Sequence, residues 1–200
     1  MKILTTSDKN YQQELAKIRS PFKPLDFELM KVVQAVIEDV AQNGDLAVCE
    51  LTQKFDHVAL SPDQLRVPED EIDRAYNQTD PKTRQAIQLS IDNVRRYQDH
   101  IKVYQQNPLK SDGSELRTRY APIARVGICV PGGSAPLAST VIMTAVPAQV
   151  AGVKEIVLVS PPKYQNSIHP TVLACCKMLG ITEAYRVGGM QAVAALALGT

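Results

Sequence analysis

Apolar residues in the first half of the chain recur at intervals of three and four, the period of an amphipathic helix. The clearest stripe runs from Leu29 to Val40, and Asn43-Gly44 after it is a typical left-handed helix stop. Pro81 opens a longer stripe that continues to Ile101. Shorter helices are predicted over Gln12–Arg19, over Asp45–Lys54 and directly after Pro68. Residues 1–107 are therefore predicted to form a helical N-terminal region.

Beyond Asn107, short apolar runs alternate with helical segments. Pro108–Ser114 predicts a loop, and the alternation from Leu116 to Tyr120 predicts a strand. Further strands are predicted at Val126–Val130, Glu155–Ser160 and Ala184–Val187, and helices at Ser139–Ala151, Pro170–Leu179 and Gln191–Leu198. Such alternation is typical of a parallel sheet with right-handed crossovers. We therefore predict an α/β fold in which residues 108–200 form a βαβαβα portion with strands buried on both faces.

The composition is that of a globular protein with an aliphatic core, since 44% of residues are hydrophobic while Phe numbers three and Trp is absent. A net charge of +1 and the lack of a basic run argue against nucleic-acid binding. The apolar runs are too short to span a bilayer, and the N-terminal segment turns polar too early for a signal peptide. We expect no nucleic-acid partner, no membrane association and a cytoplasmic location.

The metal-binding residue types are scattered along the chain. The cysteines are Cys49, Cys129, Cys175 and Cys176, and the histidines are His57, His100 and His169. The adjacent pair Cys175-Cys176 points in directions about 100° apart on a helix, which is unsuited to a metal clip. We predict reduced, buried and inert thiols, Cys129 included, and no metal ligand in this chain.

Two glycine pairs stand at the ends of predicted strands, Gly132-Gly133 after one and Gly188-Gly189 after another. Neighbouring parallel strands end at the same edge of a sheet, where open α/β folds bind ligands. Gln191 follows the second pair in an otherwise apolar helix, and its amide can both donate and accept hydrogen bonds. Ordinary tight turns, with Gln191 as a helix cap, are the alternative interpretation.

Longer motifs identify a family. The strings VGICVPGGSAPLASTVIM, PAQVAGV and VGGMQAVAALALGT lie between Val126 and Thr200, and VIEDV (36–40) with Lys54-Phe55-Asp56 lies upstream. Together they resemble the histidinol dehydrogenases from about Val32 to the last residue. The resemblance implies an incomplete Rossmann-like parallel sheet of the aldehyde-dehydrogenase type, preceded by helices. The length of the family leads us to expect that this chain is its N-terminal half.

The resemblance also implies a binding site for NAD. The expected cofactor-binding residues are Phe55, Cys129, Pro131, Gly132, Gly133, Gly189 and Gln191. Gln191 is the firmest of these, because the G-G-x-Q glutamine of the family contacts NAD. Cys129 departs from the family, which usually carries a tyrosine there, and the smaller thiol would leave a gap beside the cofactor. A role for Phe55 in the core alone is equally consistent with its position.

The implied activity is the oxidation of L-histidinol through histidinal to L-histidine, with two hydride transfers to NAD. The family also uses a zinc ion and a Glu-His pair, whose motifs are absent here, so no catalytic residue and no zinc ligand is assigned. We expect the chain to be inactive alone and to form a homo-oligomer, as the family forms homodimers. An aldehyde or acyl-phosphate dehydrogenase would need a reactive cysteine that is missing. A truncated remnant that binds a nucleotide or a partner chain is the remaining alternative.

Overall fold

The computed structural model describes residues 3–19, 26–132 and 136–200. Contacts divide the chain into two compact units, Met1–Ala35 and Val36–Thr200. The first unit holds α1 (Tyr11–Arg19) and the start of α2 (Phe27–Asn43). Helix α2 begins after Asp26, whose Oδ1 accepts hydrogen bonds from the backbone N–H groups of Glu28 and Leu29.

Four more helices precede the strands: α3 (Asp45–Asp56), α4 (Pro62–Leu65), α5 (Glu69–Gln78) and α6 (Pro81–Ile101). Proline occupies the first turn of α4 and α6, where its missing N–H costs no hydrogen bond. The Asp80 side chain caps α6 by accepting from the Thr83 backbone N–H at 2.9 Å. The helices predicted in this region are confirmed, while the short α4 was not predicted.

The segment after α6 differs from the prediction. A two-stranded antiparallel hairpin, β1 (Leu109–Ser111) and β2 (Ser114–Leu116), lies where a loop was predicted. The predicted strand over Leu116–Tyr120 is wrong, because residues 117–124 belong to no named element. Asp112 and Gly113 both have positive φ, at 48° and 78°, as a two-residue hairpin turn requires. The Asp-Gly pair was the signal for this hairpin.

The second half contains the parallel sheet. Its strands are β3 (Arg125–Cys129), β4 (Glu155–Val159) and β5 (Glu183–Tyr185), in the order β3-β4-β5 with β4 central. The helices are α7 (Ala138–Ala151), α8 (Pro170–Met178) and α9 (Gly189–Leu198). The predicted α/β fold with a parallel sheet is confirmed, and each strand end lies within two residues of its predicted position.

Two hydrophobic clusters cover the two faces of this sheet. Leu158 belongs to a cluster with residues of α5, α6, α7 and α8, and Val159 belongs to one with residues of α3 and α9. Neighbouring residues of β4 thus contribute to opposite faces, as the alternation of side chains along a strand requires. Strand β3 differs from the prediction, since Ile128 is buried on one face while Gly127 and Cys129 on the other are exposed.

The helical residues 36–101 lie in the same compact unit as the sheet. The proposed division into a helical region, 1–107, and a βα portion, 108–200, therefore concerns secondary structure and stays a prediction about domain organisation. Within the described residues, no helix is long and apolar enough to cross a membrane.

His169 makes α8 sensitive to pH. Its Nδ1 accepts a hydrogen bond from the Thr171 backbone N–H at 3.2 Å, which only the neutral ring can do, and partial burial lowers the pKa of His169. The unfolded chain therefore takes up the proton more readily, so this contribution to stability is present above the unfolded pKa and lost as pH falls. We expect the free energy of unfolding, measured in urea, to decrease from about pH 7.5 to about pH 5.5. His169→Asn keeps a cap without titrating, and an equal decrease in that variant would contradict the prediction.

Candidate functional site

The carboxyl ends of the three parallel strands meet at one edge of the sheet, as the sequence predicted. The strands that precede the two glycine pairs, β3 and β5, were predicted to be neighbours, and this is wrong because β4 lies between them. Gly132 follows β3, Pro161 follows β4 and Gly188 follows β5. Because β4 is central, its proline lies between the two glycines. A Cβ atom built on Gly132 would lie 3.0 Å from the Pro161 ring, and one built on Gly188 would lie 2.1 Å from it. The three turns are therefore packed together without room for a side chain at Gly188.

This packing explains why glycine occupies both positions. Gly188 has φ −138° and ψ −172°, an extended conformation open to any residue, so only the contact with Pro161 requires glycine there. A Cβ atom on Gly132 would also meet the Pro161 ring, but in a less severe contact, at 3.0 Å. The contact of Gly132 with a cofactor stays a prediction, and Gly133 lies outside the described residues.

Gln191 is a buried polar residue at this edge, and the edge offers no structural reason for its burial. It lies in the first turn of α9 and only 1% of its surface is exposed. Among the described residues, none forms a hydrogen bond with either its Oε1 or its Nε2. A buried amide without a partner costs about 1–3 kcal/mol, so such a group in a folded protein calls for a specific reason. A helix cap is excluded as that reason, since the amide bonds to no described backbone group.

Gly189 is placed directly against this amide. Its φ is +67°, a left-handed conformation that favours glycine, and a Cβ atom there would lie 3.0 Å from Gln191 Oε1. Two of the predicted site residues are thus brought together by the turn between β5 and α9. A side chain at residue 189 would therefore press against the Gln191 carbonyl oxygen.

Cys129 is the last residue of β3, and Pro131 follows it as an exposed residue at the same edge. A Cβ atom on Gly127 would lie 2.6 Å from Leu196 of α9, so the α9 side is the face shared by Gly127 and Cys129. The prediction of a buried thiol is wrong, because Cys129 is exposed at the edge strand. Partial desolvation raises the pKa of its thiol, which disfavours the nucleophilic thiolate at neutral pH.

The other cysteines fit the prediction of inert, reduced thiols. Cys49, Cys175 and Cys176 are buried and free of disulfides. Burial raises the pKa of Cys175 to about 12 and that of Cys176 further still. These thiols stay protonated at neutral pH and act as small apolar side chains.

Phe55 lies in the last turn of α3, partly exposed, with Lys54 Nζ 5.4 Å from the centre of its ring. The next residue, Asp56, pairs with Lys163 Nζ at 3.4 Å. Lys163 follows Pro161 in the loop after β4, so this ion pair brings the end of α3 to the carboxyl edge of the sheet. Phe55 is thus the chain neighbour of a residue that contacts this edge, and its own contact with a cofactor stays a prediction. Its exposure of 41% is more than a plain core residue shows.

Sequence reasoning missed Pro161 and Arg186, which determine how the edge is built. For Pro161, the sequence pattern indicates only the end of a strand. Arg186 is 9% exposed and donates hydrogen bonds to Gln64, Arg66, Ser167 and Glu71. A charged residue within Ala184–Val187, a strand predicted to be buried on both faces, was the available signal for its special role.

Two further observations concern metal ions and cavities. No group of three or more His, Cys, Asp or Glu side chains able to hold a metal ion occurs among residues 3–19, 26–132 and 136–200. A cavity of about 510 Å³ is lined by Val48 of α3, Leu196 of α9 and Val157 of β4 among others, but none of the predicted site residues lines it. We therefore place the candidate site at the edge formed by Gln191, Gly189 and Cys129 rather than in this cavity.

Comparisons with known proteins show which family this chain resembles. Residues 23–200 match the family model for histidinol dehydrogenase. Curated histidinol dehydrogenases from Thermosynechococcus vestitus, Rhodopirellula baltica and Staphylococcus epidermidis are 43%, 45% and 42% identical over 86%, 85% and 94% of this chain. The matches cover 40%, 37% and 44% of those proteins.

A crystal structure of histidinol dehydrogenase from Elizabethkingia anophelis superposes with a TM-score of 0.85 at 35% identity, over 94% of this chain and 43% of that one. The fold, including the described helices and the parallel sheet, is therefore that of these proteins. The chain spans about 40% of the length of the curated relatives it matches. On these matches, the chain belongs to the histidinol dehydrogenase family.

Proposed function

We propose that this chain provides the nucleotide-contacting part of an NAD-dependent oxidation of L-histidinol to L-histidine through histidinal, the last steps of histidine biosynthesis. Family membership supports the reaction, and the buried amide of Gln191 is the observation that supports the site. The finer fold assignment, an incomplete Rossmann-like sheet of the aldehyde-dehydrogenase type, belongs to this proposal. It is supported by parallel strands whose carboxyl ends meet at the edge that carries the candidate site.

The chemistry of the site fits a nucleotide. A neutral amide can donate through Nε2 and accept through Oε1, which matches the ribose hydroxyls or the carboxamide of NAD. Because residue 189 is glycine, it places no Cβ atom against the carbonyl oxygen of that amide. NAD, when bound, supplies the hydride acceptor, while the residues of this chain bind and orient it. Pro131, Gly132, Gly133, Cys129 and Phe55 complete the proposed contacts, with Gly133 outside the described residues.

The proposal assigns no catalytic base and no zinc ligand to this chain, because the zinc-binding motifs and the Glu-His pair that the resemblance implies do not occur in its sequence. We therefore expect the 200-residue chain to lack histidinol oxidation by itself. A homodimer and a cytoplasmic location are part of the same proposal. The location is supported by four free cysteines, which suit a reducing compartment. A non-catalytic protein that binds a nucleotide is the second candidate, and it shares the site but not the reaction.

Gln191→Met tests the site. Methionine fills a similar volume without polar atoms, so the free chain should gain about 1–2 kcal/mol of stability by losing an unpartnered buried amide. Binding of NAD, measured by calorimetry, should fall by about tenfold or more for the loss of the amide contacts. Stability gained together with binding lost is the signature of a functional buried polar group.

Gln149→Met is the matched control. The Gln149 amide accepts from Arg95 Nη2 at 2.8 Å and donates to the Leu179 carbonyl at 2.6 Å. Its loss should destabilise the chain by about 1–3 kcal/mol and leave NAD binding unchanged. If Gln191→Met destabilised the chain as Gln149→Met does, or bound NAD with unchanged affinity, the proposed site would be wrong.

Cys129→Tyr tests the departure from the family. The thiol is exposed on the face of β3 that lies toward α9, so a larger ring can be accommodated there. We expect NAD binding to strengthen by several-fold, because the ring adds apolar contact beside the nucleotide. The buried Cys49, exchanged for alanine, provides the control. Unchanged affinity in Cys129→Tyr would mean that this position does not face the nucleotide.

A further inference from the structure

We propose that Arg186 is a positioning residue, which fixes the turn that carries Gly188, Gly189 and Gln191 against the neighbouring turn that carries Pro161. The part of this inference that concerns nucleotide binding rests on the proposed function. The part that concerns the position of Gln191 stands on the contacts of the chain itself.

The guanidinium group of Arg186 connects three separate segments. Its Nη1 donates to the Gln64 carbonyl at 2.6 Å and to the Arg66 carbonyl at 3.0 Å. Its Nη2 donates to Glu71 Oε2 at 2.5 Å, and its Nε donates to Ser167 Oγ at 3.1 Å. The segment around α4, helix α5 and the loop after β4 are thereby tied to one side chain.

The backbone at Arg186 is fixed as firmly as the side chain. Its N–H donates to the Leu65 carbonyl at 2.7 Å, and the Val67 N–H donates to the Ala184 carbonyl at 2.8 Å. Residues 65–67 thus run beside the end of β5 in the antiparallel sense, with an isolated bridge between Arg66 and Tyr185. These bonds set the direction in which the chain leaves β5, two residues before Gly188.

The hydrogen bond with Ser167 connects Arg186 to the loop after β4, which carries Pro161. Ser167 also donates a hydrogen bond to Glu71 Oε1, so the serine, the glutamate and Arg186 form one closed network. Ser167 lies in the same loop as Pro161, between β4 and α8, and Pro161 packs against Gly188. Arg186 therefore connects the turn after β5, in which it lies, with the loop after β4. The contact between these two segments sets the start of α9 and thus the position of Gln191.

Arginine is suited to this role because its planar group offers donors in several fixed directions. Four hydrogen bonds use three nitrogen atoms at different angles. A lysine has one charged nitrogen, which can retain the pairing with Glu71 but cannot also reach Ser167 and both carbonyls. Arg186→Lys therefore keeps the charge and removes the geometry.

The test is nuclear magnetic resonance of the ¹⁵N-labelled 200-residue chain without ligand, followed by titration with NAD. In Arg186→Lys we expect the side-chain amide signals of Gln191 to shift or split while the chain remains folded. We expect NAD affinity to fall by about tenfold, as displacement of a binding group by about 1 Å can produce. Ser167→Ala should shift the Gln191 signals in the same direction by a smaller amount.

Arg125→Lys is the matched control, because Arg125 also bridges strands through ion pairs with Glu155 and Glu183, but at the amino ends of the strands. It should leave the Gln191 signals and NAD affinity unchanged. The proposal is overturned if folded Arg186→Lys leaves the Gln191 signals at their original positions, or if Arg125→Lys moves them equally. If Arg186→Lys does not fold, unchanged Gln191 signals in Ser167→Ala overturn it.

The same measurements separate this proposal from the proposed function. If the unaltered chain does not bind NAD, the proposed nucleotide site fails, and the Gln191 signals without ligand still decide whether Arg186 positions the turn. If NAD binds to the unaltered chain and to Arg186→Lys equally while the signals shift, the positioning holds but the claimed effect on binding is wrong.

Discussion

Replacing Arg186 with methionine is expected to lower the free energy of unfolding by about 3–5 kcal/mol, the range found when one partner of a buried ion pair is removed. The side chain of Arg186 is 10% exposed and that of Glu71 is 23% exposed, so water can replace the lost bonds only in part. The carbonyl groups of Gln64 and Arg66 would also lose their donor. Urea denaturation followed by circular dichroism measures this loss.

Two further variants test whether the loss of stability in Arg186→Met comes from its buried hydrogen-bond network. Arg125→Met removes an exposed arginine that also pairs with two carboxylates, and it should change stability little, because solvent screens such pairs. Adding Glu71→Leu to Arg186→Met should restore part of the stability, since the carboxylate left without its partner is then removed as well. A loss as small as that of Arg125→Met would show that the network contributes little to the fold.

Gly188→Ala is expected to destabilise the chain by about 3 kcal/mol, the upper part of the range for overpacking. The added Cβ would lie 2.1 Å from Pro161 Cγ, and a proline ring joined to the backbone cannot move aside as a flexible side chain can. Because φ at Gly188 is −138°, alanine adopts the backbone conformation without strain, and the contact alone accounts for the effect. Thermal unfolding of the purified variant measures it.

A double substitution tests this cause directly. Pro161→Ala removes the ring that the new methyl group would meet, so Gly188→Ala should cost much less in that background. Gly180→Ala is the control for backbone strain without contact, since Gly180 has φ +69° and no atom within 4 Å of an added Cβ. That control should cost about 1 kcal/mol. Equal costs of Gly188→Ala with and without Pro161 would refute the steric explanation.

The secondary structure was predicted well wherever the signal was local. The stripe in α2, the proline that opens α6 and the β-branched run of β4 each combine hydrophobic spacing with a start or stop residue. The hairpin at Leu109–Leu116 was missed, because its residues are exposed and show no apolar alternation, and the Asp112-Gly113 turn was its remaining signal.

Burial was harder to predict than secondary structure. Leu29 and Met30 lie on the apolar stripe of α2 and are about half exposed, whereas Val40 of the same stripe is fully buried. Cys129 was predicted to be buried and is exposed. Strand β3 is covered on the face of Ile128, while the opposite face is open at Cys129. Periodicity shows which residues share a face of an element, but the neighbours that cover this face come from distant parts of the chain.

The order of helices and strands, the family and a glycine-rich edge with one glutamine beside it follow from the amino-acid pattern. Three facts emerge only from the packed chain: Pro161 accounts for Gly188, the Gln191 amide is buried without a described partner, and Arg186 connects three segments. These facts depend on contacts between residues up to 122 positions apart, as between Gln64 and Arg186. Local patterns carry information about one element, whereas hydrogen-bond satisfaction and steric contact are properties of the packed chain.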